Sequence, residues 1–249
     1  MTEALQADPS NQSVKDLQTW VSDRLFSIPF QRIASRHGTF FVPEFAQHRP
    51  AATAILEGDL FEPETHLLVA QVLARKPGDL VHAGVFFGDM LPSFSQACQN
   101  RVWAFEPVLE SYVLAKLCIE ANGLENTIIF NAALGAEPGL VRLNTGLRNG
   151  PHRGGASQVD EVGQAVSMMT IDSLGIENLA LLHLDIEGGE YAALQGARET
   201  IARTAPIILI EDLPNRCAPL LTELDYQRFG EIPGLTTWAR PEDGHLLSR

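Results

Sequence analysis

The residues best suited to chemistry lie in two carboxylate-bearing runs. His183-Leu184-Asp185-Ile186-Glu187-Gly188-Gly189-Glu190 places three carboxylates within six residues, directly after an apolar stretch. Carboxylates are rarely buried unless paired or bound to a metal. Glu211-Asp212 follows a second apolar stretch. If the two stretches are neighbouring strands, Asp185, Glu211 and Asp212 converge at one rim. They would then offer three oxygen ligands to a hard cation such as Mg²⁺, with positions left open for substrate. Helix capping by Asp185 and Glu190, with solvated charges beside Glu211, is the plainer alternative.

In an open parallel sheet, ligands bind outside the carboxyl ends of the strands. One candidate turn is Gly84-Val85-Phe86-Phe87-Gly88-Asp89, whose glycines permit a tight turn and close approach of a ligand to the backbone. It lacks the third glycine of a G-x-G-x-x-G loop, which argues against a dinucleotide. Glu106, in Trp103-Ala104-Phe105-Glu106-Pro107, ends the next apolar run. A carboxylate there can accept hydrogen bonds from both hydroxyls of a ribose, or it can serve the dipole of the following helix. Asn131, in Asn131-Ala132-Ala133-Leu134-Gly135, can read an adenine edge or hold a turn.

Such residues need elements that deliver them to one edge. Apolar runs at 80–85, 101–105, 127–133, 179–184 and 206–210 read as five strands, with an extra one at 140–143. Helices are expected at 89–99, with Asp89 as N-cap, at 108–121, closed by Asn122-Gly123, and at 190–202. Another follows Pro63, with Leu67, Leu68 and Leu73 as its apolar side and Pro77-Gly78 as its stop. Weaker segments lie at 226–230 and 235–239. This alternation means βαβ units and a parallel sheet. Upstream, 14–26 has helical spacing and 28–58 reads as short elements and loops. Residues 1–65 are therefore expected to be a helical and irregular extension, and 66–249 the main domain. Residues 144–165 are glycine-rich, fit no element and carry Arg148, His152 and Arg153. They form either a solvated loop or a lid over the site.

The 249 residues suit one large domain, and a hydrophobic content of 45% suffices for a real core. Eighteen Lys+Arg against 31 Asp+Glu give a net charge of −13. That charge repels phosphate backbones, so nucleic acid is not an expected partner. Cys98, Cys118 and Cys217 form no C-x-x-C pair and read as reduced core thiols of a cytoplasmic protein. No apolar run approaches the roughly 20 residues needed to span a bilayer, so no membrane partner is expected. The polar, acidic start MTEALQADPS is no signal peptide. A homo-oligomer is left open.

Ala104-Phe105-Glu106-Pro107, Asn131-Ala132-Ala133-Leu134-Gly135, Thr170-Ile171-Asp172-Ser173-Leu174 and Leu184-Asp185-Ile186-Glu187-Gly188-Gly189-Glu190 together resemble the FkbM family of S-adenosylmethionine (SAM)-dependent methyltransferases. The likeness covers just over half of the chain. It implies an α/β, three-layer, Rossmann-like class I methyltransferase fold whose seven-stranded, mostly parallel sheet has an antiparallel last strand. It also implies cofactor contacts from His82, Gly84, Phe86, Gly88, Glu106, Pro107, Asn131, Ala132 and Asp185. The chain departs from the family at His82, where an acidic residue is usual, and at Phe86, where Asn is usual. Gly84-Val85-Phe86-Phe87-Gly88 is also similar to macrolide-sugar O-methyltransferases, in which a strand-four Asp and an acidic pair after strand five hold Mg²⁺. Asp185, Glu211 and Asp212 match that set.

The activity so implied is methyl transfer from SAM to a hydroxyl of a small molecule, a sugar or natural-product glycoside, with or without a metal. The donor is already activated, so the protein mainly aligns the reactants. A cation would lower the acceptor's pKa and a base would take its proton. Asp185 is the central catalytic candidate, with His152, His183 and Glu187 as further bases. The rival readings are a metal-independent N-methyltransferase, a non-catalytic nucleotide-binding module and an NAD-linked oxidoreductase. The carboxylate cluster argues against the second, and the missing glycine against the third.

Overall fold

The computed structural model describes residues 27–145, 158–159, 163–212 and 215–247. The expected helix at 14–26, and Arg148, His152 and Arg153 of the expected lid, lie outside the described residues. Strands β1 (Phe30–Ser35) and β2 (Gly38–Pro43) precede helices α1 (Pro50–Glu57) and α2 (Pro63–Arg75). Next come β3 (Asp79–Ala83), α3 (Leu91–Ala97), β4 (Val102–Phe105), α4 (Leu109–Asn122), β5 (Thr127–Phe130), β6 (Ala132–Leu134), β7 (Gly139–Asn144), β8 (Gln158–Val159) and β9 (Gln164–Met169). Then follow β10 (Leu179–Leu184), α5 (Glu190–Gln195), α6 (Arg198–Thr204), β11 (Ile207–Ile210), α7 (Ala218–Glu223), β12 (Gln227–Ile232) and β13 (Leu235–Ala239).

Seven strands form the main sheet in the order β12-β13-β11-β10-β3-β4-β5. β3, β4, β5, β10 and β11 are parallel, and β13 is antiparallel to both of its neighbours. This is the expected sheet, with its antiparallel last strand. The chain steps outward from β3 to β5 and returns to β10 on the other side of β3, which makes a switch point at the carboxyl end of β3.

Every residue of β10 is buried, as in a strand covered on both faces. Val81, Phe105, Leu182 and Leu184 pack against Ala193, Leu194, Ile201 and Leu220 of α5, α6 and α7. Leu80, Val102 and Leu209 pack against Val69, Val72 and Phe94 of α2 and α3. Period-two alternation along the strands thus builds three layers. Burying each of these leucines and valines stabilises the fold by roughly 1.5–3 kcal/mol.

Several elements differ from expectation for physical reasons. The 127–133 run divides into β5 and β6, and β6 joins a second sheet of order β6-β9-β7-β8. The 190–202 helix divides into α5 and α6 at Gly196, where a Cβ would sit 2.0 Å from the Gly135 carbonyl oxygen. Asp172 then restarts the helix by accepting the N–H groups of Glu199 and Thr200. Asp89 does not cap α3, which begins at Leu91. Leu67, expected on the apolar side of α2, is 64% exposed, whereas Val69 and Val72 are buried. The stretch read as short elements and loops contains the β1–β2 hairpin and α1, and these build a core of their own. Their Phe40, Phe41, Ala52 and Ile55 bury against Phe86, Phe87 and Leu114. Cys98, Cys118 and Cys217 are all free and buried. Among the described residues no helix is long and apolar enough to cross a membrane.

Candidate active site

Strand register brings the chemistry together. Ala83 pairs with both Phe105 and Leu184, and Leu184 pairs with Ile210. The next residue of each strand is Gly84, Glu106, Asp185 and Glu211, so these four share one rim. The backbone ladder runs one step further to fix them: Gly84 N–H donates to Phe105 O, Asp185 N–H to Ala83 O, and Glu211 N–H to Leu184 O. All four line one cleft.

On the β4 side, Glu106 is 5% exposed. Its Oε2 accepts the Phe86 N–H at 2.7 Å and its Oε1 accepts the Val108 N–H at 2.8 Å. Phe86 has φ 53°, a left-handed conformation that persists only where the surroundings impose it. The Glu106 carboxylate supplies that constraint. Burial pushes the Glu106 carboxyl up to about 8 despite the two donors. Each oxygen keeps a further acceptor site for a hydroxyl. Asp89 stands on the same wall, and burial lifts its carboxyl to about 7.

On the β10–β11 side, Asp185 and Glu211 are hydrogen-bonded to each other. Burial, and then that bond and the Glu211 charge, raise the Asp185 carboxyl well above the carboxylate range. The following turn passes through two left-handed residues, Glu187 (φ 55°) and Gly188 (φ 99°). Glu190 holds it from within, accepting the N–H groups of Ile186 and Gly188 on Oε1. Glu187 reaches the cleft and pairs with Arg49 at 3.5 Å. Burial raises the Glu187 carboxyl while Arg49 opposes the rise.

Several expected site residues stand elsewhere. His82 and His183 are register partners on β3 and β10 that point into the α2–α3 layer. Their Nδ1 atoms are 3.0 Å apart, each ring is edge-on to Phe94, and both are 1% exposed. His82 does not face the cleft, and His183 cannot serve as its base. Asn131 donates to the carbonyls of Glu106 and Pro107, so Asn131 and Pro107 brace the loop after β4. Ala132 is buried in the core. The protein's own packing requires glycine at both turn positions. A Cβ on Gly84 would sit 1.7 Å from the Asp185 carbonyl oxygen, and one on Gly88 would crowd Ala115 and Cys118 of α4.

The three-ligand metal set is not assembled. Asp212 turns away from Asp185 and Glu211 and holds the turn that leads into α7, with Oδ1 accepting the Arg216 N–H and Oδ2 the Cys217 N–H, both at 2.8 Å. It lines a separate groove with Asn215 and Arg228. Among the described residues no three His, Cys, Asp or Glu side chains converge as a metal-binding group. The expected Mg²⁺ role of Asp185, Glu211 and Asp212 together is corrected on that geometry.

Sequence reasoning missed Arg49, Phe61, Glu62 and Asp89 as cleft residues. Glu62 is left-handed at φ 50°, accepts the Thr65 hydroxyl and has its carboxyl raised by burial. The N-terminal layer thus supplies part of the cleft wall. Pro63, the N1 residue of α2, was the one legible sign that the residues just before it are fixed.

The residues fit SAM on chemical grounds. Six carboxylates and one cation, Arg49, line the cleft among the described residues, which suits a sulfonium. The buried Glu106 keeps acceptor capacity for ribose hydroxyls. The model named Methyltransferase FkbM domain matches residues 82–230. No curated protein sequence matches the chain. Among solved structures, methyltransferase FkbM from Methylobacillus flagellatus KT is 19% identical, with a TM-score of 0.49, covering 66% of this chain and 43% of that one. This chain therefore spans less than half the length of that relative. A methyltransferase from Geobacter sulfurreducens is 14% identical, with a TM-score of 0.48, covering 79% of this chain and 86% of that one. An rRNA methylase from Streptococcus thermophilus is 13% identical, with a TM-score of 0.43, covering 71% and 94%. With its family model matched across more than half of its length, the chain belongs to the FkbM methyltransferase domain family.

Proposed function

We propose that the protein is a SAM-dependent O-methyltransferase acting on a hydroxyl of a polyhydroxylated small molecule such as a sugar or glycoside. The observation that carries this reading is the hydrogen-bonded Asp185–Glu211 pair on the strand rim shared with Glu106. SAM supplies a methyl group already activated on a sulfonium. Glu106 would hold its ribose hydroxyls, beside the Phe86 turn and Asp89. Asp185, raised by burial and by the neighbouring Glu211, would take the acceptor's proton in its ionised form. A carboxyl whose pKa lies nearer neutrality is a stronger base than an ordinary carboxylate. Glu62, Glu187, Asp185 and Glu211 line the cleft with carboxyl oxygens able to accept hydrogen bonds, which suits a ligand rich in hydroxyl donors. The net charge of −13 disfavours a nucleic-acid acceptor.

The test is transfer from isotopically labelled SAM to a panel of sugars, glycosides and amines. Asp185→Asn should lower kcat by about 10²–10⁴-fold while S-adenosylhomocysteine affinity stays near wild type. Wild-type rates in Asp185→Asn would overturn the base assignment. Loss of activity in EDTA with recovery in Mg²⁺ would replace it with a cation-assisted one, and transfer to amines alone would overturn the hydroxyl acceptor.

A further inference from the structure

Arg49 lies outside the matched family region, immediately before α1, yet it reaches the turn that carries Asp185. It is the one cationic side chain on the cleft wall among the described residues. Its ion pair with Glu187 is two-thirds shielded, with side-chain exposures of 30% and 32%. Such a pair is screened less than one on an open surface. Glu187 itself is left-handed, a conformation retained only where contacts impose it. Glu190 supplies those contacts from below through the Ile186 and Gly188 N–H groups. On the outer side, Arg49 holds Glu187. Arg49 is in turn anchored by α1, whose Ala52 and Ile55 are buried against the Phe86–Phe87 turn.

We infer that Arg49 is a positioning residue for the proposed reaction: through Glu187 it fastens the β10–α5 turn and so sets the place of Asp185. The inference rests on the O-methyl transfer reading for its kinetic consequence, but its structural consequence stands without any acceptor. Arg49 opposes the rise that burial imposes on the Glu187 carboxyl, so removing its positive charge makes Glu187 harder to ionise and moves the acid limb of activity upward.

The experiment compares wild type, Arg49→Gln, Arg49→Lys, Glu187→Gln and the Arg49→Gln/Glu187→Gln pair. In Arg49→Gln, kcat should fall by about tenfold or more, as expected when a reacting group is displaced. The acid limb of kcat should rise by about half a pH unit, and Arg49→Lys should restore most of that shift. The double variant should be no worse than the poorer single one, because Arg49 acts through Glu187. Amide hydrogen exchange in peptides covering 185–190 should quicken in Arg49→Gln and not in Arg49→Lys. Unchanged exchange there would overturn the inference whether or not an acceptor is found. So would additive kinetic losses, or an unmoved acid limb in an active enzyme. A wild type that binds SAM but transfers no methyl group to any hydroxyl would overturn the functional reading and leave the exchange result to judge Arg49.

Discussion

Glu106 joins two roles that were alternatives in the sequence. It holds the turns on either side through the Phe86 and Val108 N–H groups, and it faces the cleft with acceptor sites remaining. Its carboxyl is pushed up to about 8 by burial, so a cationic cofactor must draw the proton off as it binds. SAM affinity should therefore rise between about pH 6 and pH 8 and level off above that range. Glu106→Gln should weaken binding by about tenfold or more and flatten the pH dependence, while carrying the cofactor's own titration as a control. Titration calorimetry across that range decides the point; wild-type affinity that does not change with pH would show that Glu106 is a structural clasp alone. Asp185, Glu211 and Glu106 were legible because each directly follows an apolar run, and register turns that into proximity. His82 and His183 were misread because a strand-end motif does not say which sheet face a side chain takes. Their parity with Leu80 rather than Val81 decides it.

At the scale of elements, most strands and helices followed from apolar runs and Pro or Gly boundaries, since those signals are local. The misses came from contacts distant in sequence. Gly196 ends α5 because the Gly135 backbone lies against it, and β1, β2 and α1 are ordered by aromatic burial on the Phe86–Phe87 turn. Gly84 shows the same dependence at the site. It combines φ +89° with a Cβ position 1.7 Å from the Asp185 carbonyl oxygen, whereas Gly123 has φ +62° and open space around it. Gly123→Ala should cost only about 1–2 kcal/mol, the strain of a left-handed residue. Gly84→Ala should cost about 3 kcal/mol or more, because it forces the β3 and β10 ends apart. It should also weaken SAM binding, since the cleft rim itself moves. Urea unfolding and cofactor titration on both variants test this, and equal losses would show that the rim yields without strain.

At the scale of the whole molecule, two sets of buried titratable groups pull stability in opposite directions with pH. His82 and His183 are neutral in the core, and burial drives His183 down to about 3 and His82 well below its usual value. Each depressed histidine contributes stability that is full above the unfolded pKa of about 6.5. That stability is lost as pH falls from there toward the folded value, because the unfolded chain takes up the proton first. Between about pH 6.5 and pH 4.5 the loss is roughly 2 kcal/mol for His183. Glu106, Asp89 and Asp185 have raised carboxyls, so the sign reverses. For Asp89 and Glu106 the contribution is full below the unfolded carboxylate pKa of about 4 and is lost as pH rises through about 7 and about 8, and Asp185 acts in the same direction. Urea midpoints should therefore peak in mildly acidic solution and fall on both sides. Replacing His82 and His183 together with Leu should flatten the acid side, since both partners of the buried bond are removed at once. Glu106→Gln should flatten the alkaline side, and SAM should restore wild-type stability most at about pH 8, where it pairs with the ionised cleft. A midpoint that climbs steadily from about pH 4.5 to about pH 8 would mean that the cleft carboxyls ionise without cost to the fold, and that the histidine pair alone sets the pH response.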